Sequence, residues 1–262
     1  MTTTTTTTTT PRSATGSVAL HGVTKAYGQG ENAVLALDGV SLDVAPGEFV
    51  CLVGASGCGK STLLNLVAGL DRVSGGRIEL GDGVNPGLMF QESALFPWLT
   101  VEGNVEVPLK LRGLSRAARR ERVAELLRTV HLSDFGRKRP HQLSGGMRQR
   151  VALARTLALD TPVLLMDEPF GALDAMTRDI LHDELERIWT ERKLTVLFVT
   201  HNVREAARLA DRIILLSSRP GRIIYSTRVD VPRPRRIDSP EIANIAAEVT
   251  DKLRTEVGRH GQ

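Results

Sequence analysis

The sequence predicts an α/β protein: a mostly parallel sheet flanked by helices, an N-terminal antiparallel β subdomain, and an inserted α-helical subdomain. Three observations predict it. Short apolar runs at 48–53, 163–166, 195–199 and 212–216 alternate with helix-like periods, the pattern of fully buried parallel strands joined by crossover helices. Runs at 18–23 and 41–44 precede any helical period and read as antiparallel strands. Between Gln91 and about Asp160 strand-like runs disappear and a period near 3.6 takes over.

Taken in order, residues 1–16 open on the uniform Thr2 to Thr10 tract, which can bury almost nothing and is expected to be disordered. The run 48–53 ends in Gly54 and is followed by an apolar helix over 62–70. In the helical stretch, about 91–160, Ser115 is placed to cap a helix with Val123, Leu127 and Val130 on one face. Ser144 is placed to cap another carrying Val151, Ala154 and Leu157. The main domain is expected over 17–225. A Pro/Arg-rich linker (231–236) and an amphipathic helix opened by Ser239-Pro240, with Ile242, Ile245, Val249 and Leu253 on one face, would fill 226–262.

Composition narrows the class. A chain of 262 residues can bury a full core. Its two cysteines, Cys51 and Cys58, both lie in an apolar strand-to-loop stretch and read as reduced cytosolic thiols, not as a disulfide framework. No run reaches the roughly 18–20 apolar residues of a membrane span, and no basic-then-apolar leader opens the chain. A net charge of +4 comes with arginines and acids alternating along helices, which is the pattern of solvated faces; no nucleic-acid partner is expected.

Three segments carry chemistry. Gly54-Ala55-Ser56-Gly57-Cys58-Gly59-Lys60-Ser61 fits the phosphate-binding-loop pattern, with a strand before it and a helix from Thr62 after it. Its glycines let backbone N–H groups converge on phosphate oxygens at a helix N-terminus; Lys60 would reach the β and γ phosphates and Ser61 would bind Mg²⁺. The run 163–166 ends in Asp167-Glu168, placing two carboxylates at the sheet edge beside that loop: Asp167 for Mg²⁺ through water, Glu168 to polarise an attacking water. By itself such a pair reads more often as a solvated turn; beside the upstream loop the functional reading prevails. Leu143-Ser144-Gly145-Gly146-Met147 supplies a second glycine-rich helix start, a second anion-binding device that one γ phosphate does not require.

In this order and company, the last segment resembles the signature of the ABC ATPase family, and the resemblance runs over about 17–225. It implies a P-loop NTPase core that binds ATP and Mg²⁺ and hydrolyses ATP as a homodimer. It further implies that Ser144, Gly145 and Gly146 face the phosphate loop of the opposing copy, and that Tyr27 stacks on adenine. Gln91 resembles the glutamine near Mg²⁺ and the attacking water, His201 the histidine at the γ phosphate, and Ala172-Leu173-Asp174 the loop through which the subunits communicate. Taken singly, these residues also read plainly as a half-buried strand aromatic, a strand-end polar residue and a helix-capping histidine.

The chain departs from the family pattern at Met147, where glutamine is commoner, at Asn202, where aspartate is frequent, and in a short connection over 81–88. Phe96-Pro97-Trp98-Leu99-Thr100, the segment 166–174 and Ser218-Arg219-Pro220-Gly221-Arg222 look similar to the nitrate, sulfonate and taurine class of importers. That implies two transmembrane permease subunits, an extracytoplasmic solute-binding protein, a peripheral place on the cytoplasmic face of the cell membrane, and a groove just past Gln91 for a permease helix. An ABC-type ATPase acting on nucleic acid or ribosomes, and a lone P-loop kinase, stand as rival readings. Cys58, close to Lys60, is expected to carry an acidified thiol that nucleotide shields.

Overall fold

A computed structural model describes residues 16–28, 30–171 and 173–260. The Thr tract and Ala172 therefore lie outside the described residues.

Two sheets share the molecule. The smaller is antiparallel, with β1 (Val18–Tyr27) between β2 (Val34–Val44) and β4 (Gly75–Leu80). The larger has the order β5-β6-β7-β3-β8-β9, from β5 (Gly87–Met89), β6 (Val163–Asp167), β7 (Thr195–Val199), β3 (Phe49–Val53), β8 (Arg212–Leu216) and β9 (Ile223–Arg228). All its pairings are parallel except β8 with β9.

The four strands at the middle read as continuous apolar runs because both faces of the sheet are covered. Along β3, Phe49, Cys51 and Val53 enter the core shared with the helical region, while Val50 and Leu52 enter the core beneath the small sheet. The same alternation holds in β7, with Val196 and Phe198 on one side and Leu197 and Val199 on the other. Period-2 side-chain alternation thus splits one strand between two cores. Fully burying each such side chain is worth about 1.5–3 kcal/mol, so these runs dominate the energetics of the sheet.

The stretch after Met89 carries no strand until Val163: α2 (Val101–Leu111), α3 (Arg116–Thr129) and α4 (Gly145–Leu157) fill it. Ser115 and Ser144 cap α3 and α4, accepting from the N–H of Ala118 and of Met147, each such cap being worth about 1 kcal/mol. Val123, Leu127 and Val130 are buried, as are Val151, Ala154 and Leu157. Around the large sheet lie α1 (Lys60–Val67), α5 (Ala175–Arg192), α6 (Val203–Leu209) and α7 (Pro240–His260).

The C-terminal boundary needs correction. The break expected after 225 falls inside β9, whose alternating half-buried pattern pairs it with β8 and puts Tyr225 opposite Leu215. The Pro/Arg stretch is docked rather than free. Arg235 is buried and donates to the carbonyls of Val229, Val231 and Ala210, while Arg233 stacks over Trp189 at 4.3 Å and pairs with Asp211. Ser239 accepts from the N–H of Ile242 at the start of α7, which buries Ile242, Ala246 and Val249 in the core.

Candidate active site

Because β6, β7 and β3 are parallel neighbours, their carboxyl ends fall along one edge, and the sheet gathers Asp167, Glu168, Thr200, His201 and the loop after Val53 there. Open parallel sheets bind ligands at this edge because the helices that follow the strands present N-terminal N–H groups to it.

The loop from Gly54 to Gly59 turns on two glycines with positive φ, Gly57 at 75° and Gly59 at 101°. A Cβ at Gly59 would lie 2.7 Å from Leu37 Cδ2 and 2.9 Å from the Ala36 carbonyl, so only glycine fits. Gly59 also caps α1 without a side chain, which leaves the first N–H groups of the helix to a ligand. Lys60 is almost enclosed; its Nζ donates to the carbonyl oxygens of Gly54 (2.8 Å) and Ala55 (2.9 Å), both inside its own loop.

Asp167 ends β6 with the Ser61 side chain near enough to influence its carboxyl. Burial pushes its carboxyl above the ordinary Asp range; Ser61 pulls it back, the Glu168 charge raises it further and Lys60 opposes the rise. The hydroxyl and carboxylate oxygens of this pair fit a hard cation that takes its remaining ligands from phosphate and water. Glu168 has φ 44°, a left-handed conformation that costs a non-glycine residue about 1 kcal/mol. Its N–H donates to the Val199 carbonyl at 2.9 Å, and its Oε2 lies 3.0 Å from His201 Nδ1.

Tyr27, Ser56, Lys60, Ser61, Thr62, Gln91 and Glu168 line one cleft of about 330 Å³. Tyr27 is half exposed and its hydroxyl donates to Asp71. Gln91 is anchored from behind, its carbonyl accepting from Gln149 Nε2 at 2.5 Å. The structure thus brings most of the sequence-predicted residues together.

Four of them it does not. Ser144, Gly145 and Gly146 open α4 elsewhere, with the Ser144 hydroxyl exposed and accepting from Met147 N–H at 3.2 Å. Asp174 caps α5 by accepting from Thr177 N–H at 3.0 Å; that bond holds its carboxyl below the ordinary range.

The shielding that nucleotide was expected to give Cys58 comes from the protein, while the expected neighbour is in place, Lys60 Nζ lying 3.7 Å from its Sγ. Its thiol is fully buried by the protein itself, facing inward so that a Cβ at Gly54 would lie 2.7 Å from Sγ. Nucleotide is therefore not what shields it, and Cys58 offers a ligand only its backbone.

Sequence reasoning passed over Arg219, which reaches the same cleft from the β8–β9 turn, and the buried pair His182 and Glu205 behind His201. Arg219 lay within a segment valued only for its family likeness. Nothing in the spacing of His182 marked it.

Residues 37–171 match the family model described as ABC transporter. The chain is 46% identical to an aliphatic sulfonates import ATP-binding protein of Bacillus licheniformis over 88% of this chain and 92% of that one. It is 48% identical to a nitrate import ATP-binding protein of Synechocystis, over 84% and 89%. Among solved structures it resembles a dimeric ATP-binding cassette in a post-hydrolysis state bound to ADP and Pi, with a TM-score of 0.75 and 36% identity, covering 82% of this chain and all of that one.

Proposed function

This chain belongs to the ABC transporter family of ATP-hydrolysing cassettes, and on that premise we propose that two copies close head to tail around two MgATP and drive solute import through partner permeases. One observation carries the reading. The molecule has two glycine-rich helix starts: one sits inside the cleft, the other lies outside it with its serine exposed. A ligand in the first leaves an anion-binding surface unused, and a second copy turned head to tail uses both.

In this arrangement the loop 54–59 and the N-terminus of α1 cradle the phosphates and Lys60 exchanges its loop carbonyls for phosphate oxygens. Tyr27 would stack on adenine, and Ser61, Asp167 and Gln91 would hold Mg²⁺. When bound, that ion neutralises charge on the β and γ phosphates. Glu168, on its strained backbone, polarises the attacking water; His201, which contacts Glu168, approaches the γ phosphate. The second copy supplies Ser144, Gly145 and Gly146, and its Asp174 lies along the shared contact. Nucleotide then bridges two surfaces, so binding favours closure and hydrolysis favours release.

Coupling to the membrane is proposed at the segment after Gln91. Asn104, wholly buried, accepts from the Phe96 N–H and donates to the Phe96 and Thr100 carbonyls, and Arg155 donates to the carbonyls of Ser93 and Ala94. A segment pinned this way presents Trp98, 68% exposed, as an anchor for a permease helix. No helix among the described residues is long and apolar enough to cross a membrane; a peripheral place on the cytoplasmic face beside separate permeases is part of the proposal. The sulfonate and nitrate names of the relatives support the nitrate, sulfonate and taurine class, and a solute-binding protein outside the membrane completes the proposal.

Glu168→Gln tests the reading. It removes the base and keeps the shape, so turnover should fall about 10²–10⁴-fold while MgATP holds the variant as a dimer on size exclusion. Undiminished steady-state hydrolysis would refute the assignment.

A further inference from the structure

Behind His201 lies a buried polar cluster that the hydrolytic reading does not use. Thr200, the last residue before His201, is buried. Its Oγ1 accepts from the Asn202 N–H at 3.0 Å and donates to Glu205 Oε2 in a short bond. The residues on either side of His201 are therefore tied to one hydroxyl.

Glu205, also buried, extends the chain of bonds to α5. Its Oε1 meets His182 Nε2 at 2.6 Å, and His182 is wholly enclosed. Arg208 Nη1 donates to His182 Nδ1 at 3.0 Å, which places the ring hydrogen on Nε2, facing the carboxylate. Arg208 in turn pairs with Asp179 and Asp183 on α5. The Phe170 ring, two residues beyond Glu168, packs in a T-shape with the His182 ring, their centroids 5.1 Å apart.

This cluster joins the elements that follow two strand ends, one bearing Glu168 and the other His201. A small cavity of about 30 Å³, room for one water, lies between them, lined by Glu168, Thr200, His201 and Glu205 among others. Buried charged clusters are weak stabilisers compared with apolar replacements; what this one visibly does is tie Thr200, at the end of β7, to α6 and α5. His201 itself is 66% exposed on its side chain, and among the described residues its ring contacts Glu168, so the ring is placed by its backbone attachment together with that one contact.

We infer that Glu205 and Thr200, braced by His182, are positioning residues that hold His201 against Glu168 for hydrolysis. The inference rests on the reading of Glu168 and His201 as the hydrolytic pair. Thr200→Val keeps the shape and removes both hydrogen bonds; Thr200→Ser keeps the hydroxyl; Glu205→Ala removes the centre of the network. MgATP turnover, nucleotide Kd and Tm are measured on the full chain for each, alone and combined with His201→Ala.

Thr200→Val should lower kcat about tenfold with Kd unchanged, Thr200→Ser should restore it, and neither Thr200→Val nor Glu205→Ala should lower turnover further once His201 is Ala. Should Glu205→Ala fail to fold, Thr200→Val carries the test alone. Thr200→Val at wild-type kcat while His201→Ala is impaired, or losses that multiply fully in the double variant, would overturn the positioning role alone. His201→Ala at full turnover would overturn the site reading and the positioning role with it.

Discussion

The start of α1 and the start of α4 are the same device in opposite settings. Both are glycine-rich helix N-termini with N–H groups available to an anion. At α1 the cap is Gly59, with no side chain, and the following Lys60 is buried in the cleft, tied to its own loop. At α4 the cap is Ser144, exposed, its hydroxyl already satisfying Met147 N–H. Gly146 is packed from behind, since a Cβ there would lie 2.7 Å from Leu173 Cδ2. The first site is built to receive a ligand within its own chain; the second is finished as a helix and faces outward. Enclosure, not motif, separates a binding pocket from a contributing surface.

Substitutions should divide along that line. Lys60→Ala strikes the enclosed device and should weaken nucleotide binding by about 10–100-fold, the worth of one charge-assisted hydrogen bond, as read by titration with a fluorescent nucleotide. Ser144→Arg strikes the outward device. Binding of nucleotide to the single chain should stay within about twofold, while turnover falls about tenfold or more because a bulky cation fills the surface that meets the other copy. Equal loss of binding in both variants would erase the distinction.

A subtler effect separates the sites by pH. The raised Asp167 carboxyl favours its protonated form in the fold. Its contribution to stability is therefore full below the ordinary Asp value and is lost as pH rises through the raised value. Cation binding needs the ionised form and runs the other way. Mg²⁺ dependence of nucleotide binding should fade on acidification at a pH above the ordinary Asp range, and Asp167→Asn should abolish it while raising the metal-free Tm at neutral pH. The Ser144 end, with no buried carboxylate, should show no such window.

Much of this was legible because it is local. The strands at 48–53, 163–166, 195–199 and 212–216 declare themselves by continuous apolar runs, and Ser115, Ser144 and Ser239 declare caps by position. β4 and β5 escaped notice because one is half-buried and the other only three residues long around Gly87, with its partner β6 far along the chain. β9 did carry an alternating signal, masked by the Pro/Arg stretch that follows it.

At the site, residue identities could be read from the motifs but conformations could not. The positive φ of Glu168 and the inward thiol of Cys58 depend on neighbours distant in sequence. Glu205 shows the limit most clearly. Three residues after Asn202 it reads as half of a capping box; Asn202 does cap α6, but the Glu205 carboxylate turns inward to Thr200 and His182.

The central claim is that each active centre is assembled from two copies, and mixing two crippled variants tests it most directly. Glu168→Gln and Ser144→Arg chains are each assayed alone, then at equal ratio, for MgATP turnover. In the mixed pair one centre combines an intact Glu168 with an intact Ser144, so random pairing should restore about a quarter of wild-type centres. Turnover no greater than the sum of the separate variants would mean that each chain works by itself, and the account would be wrong.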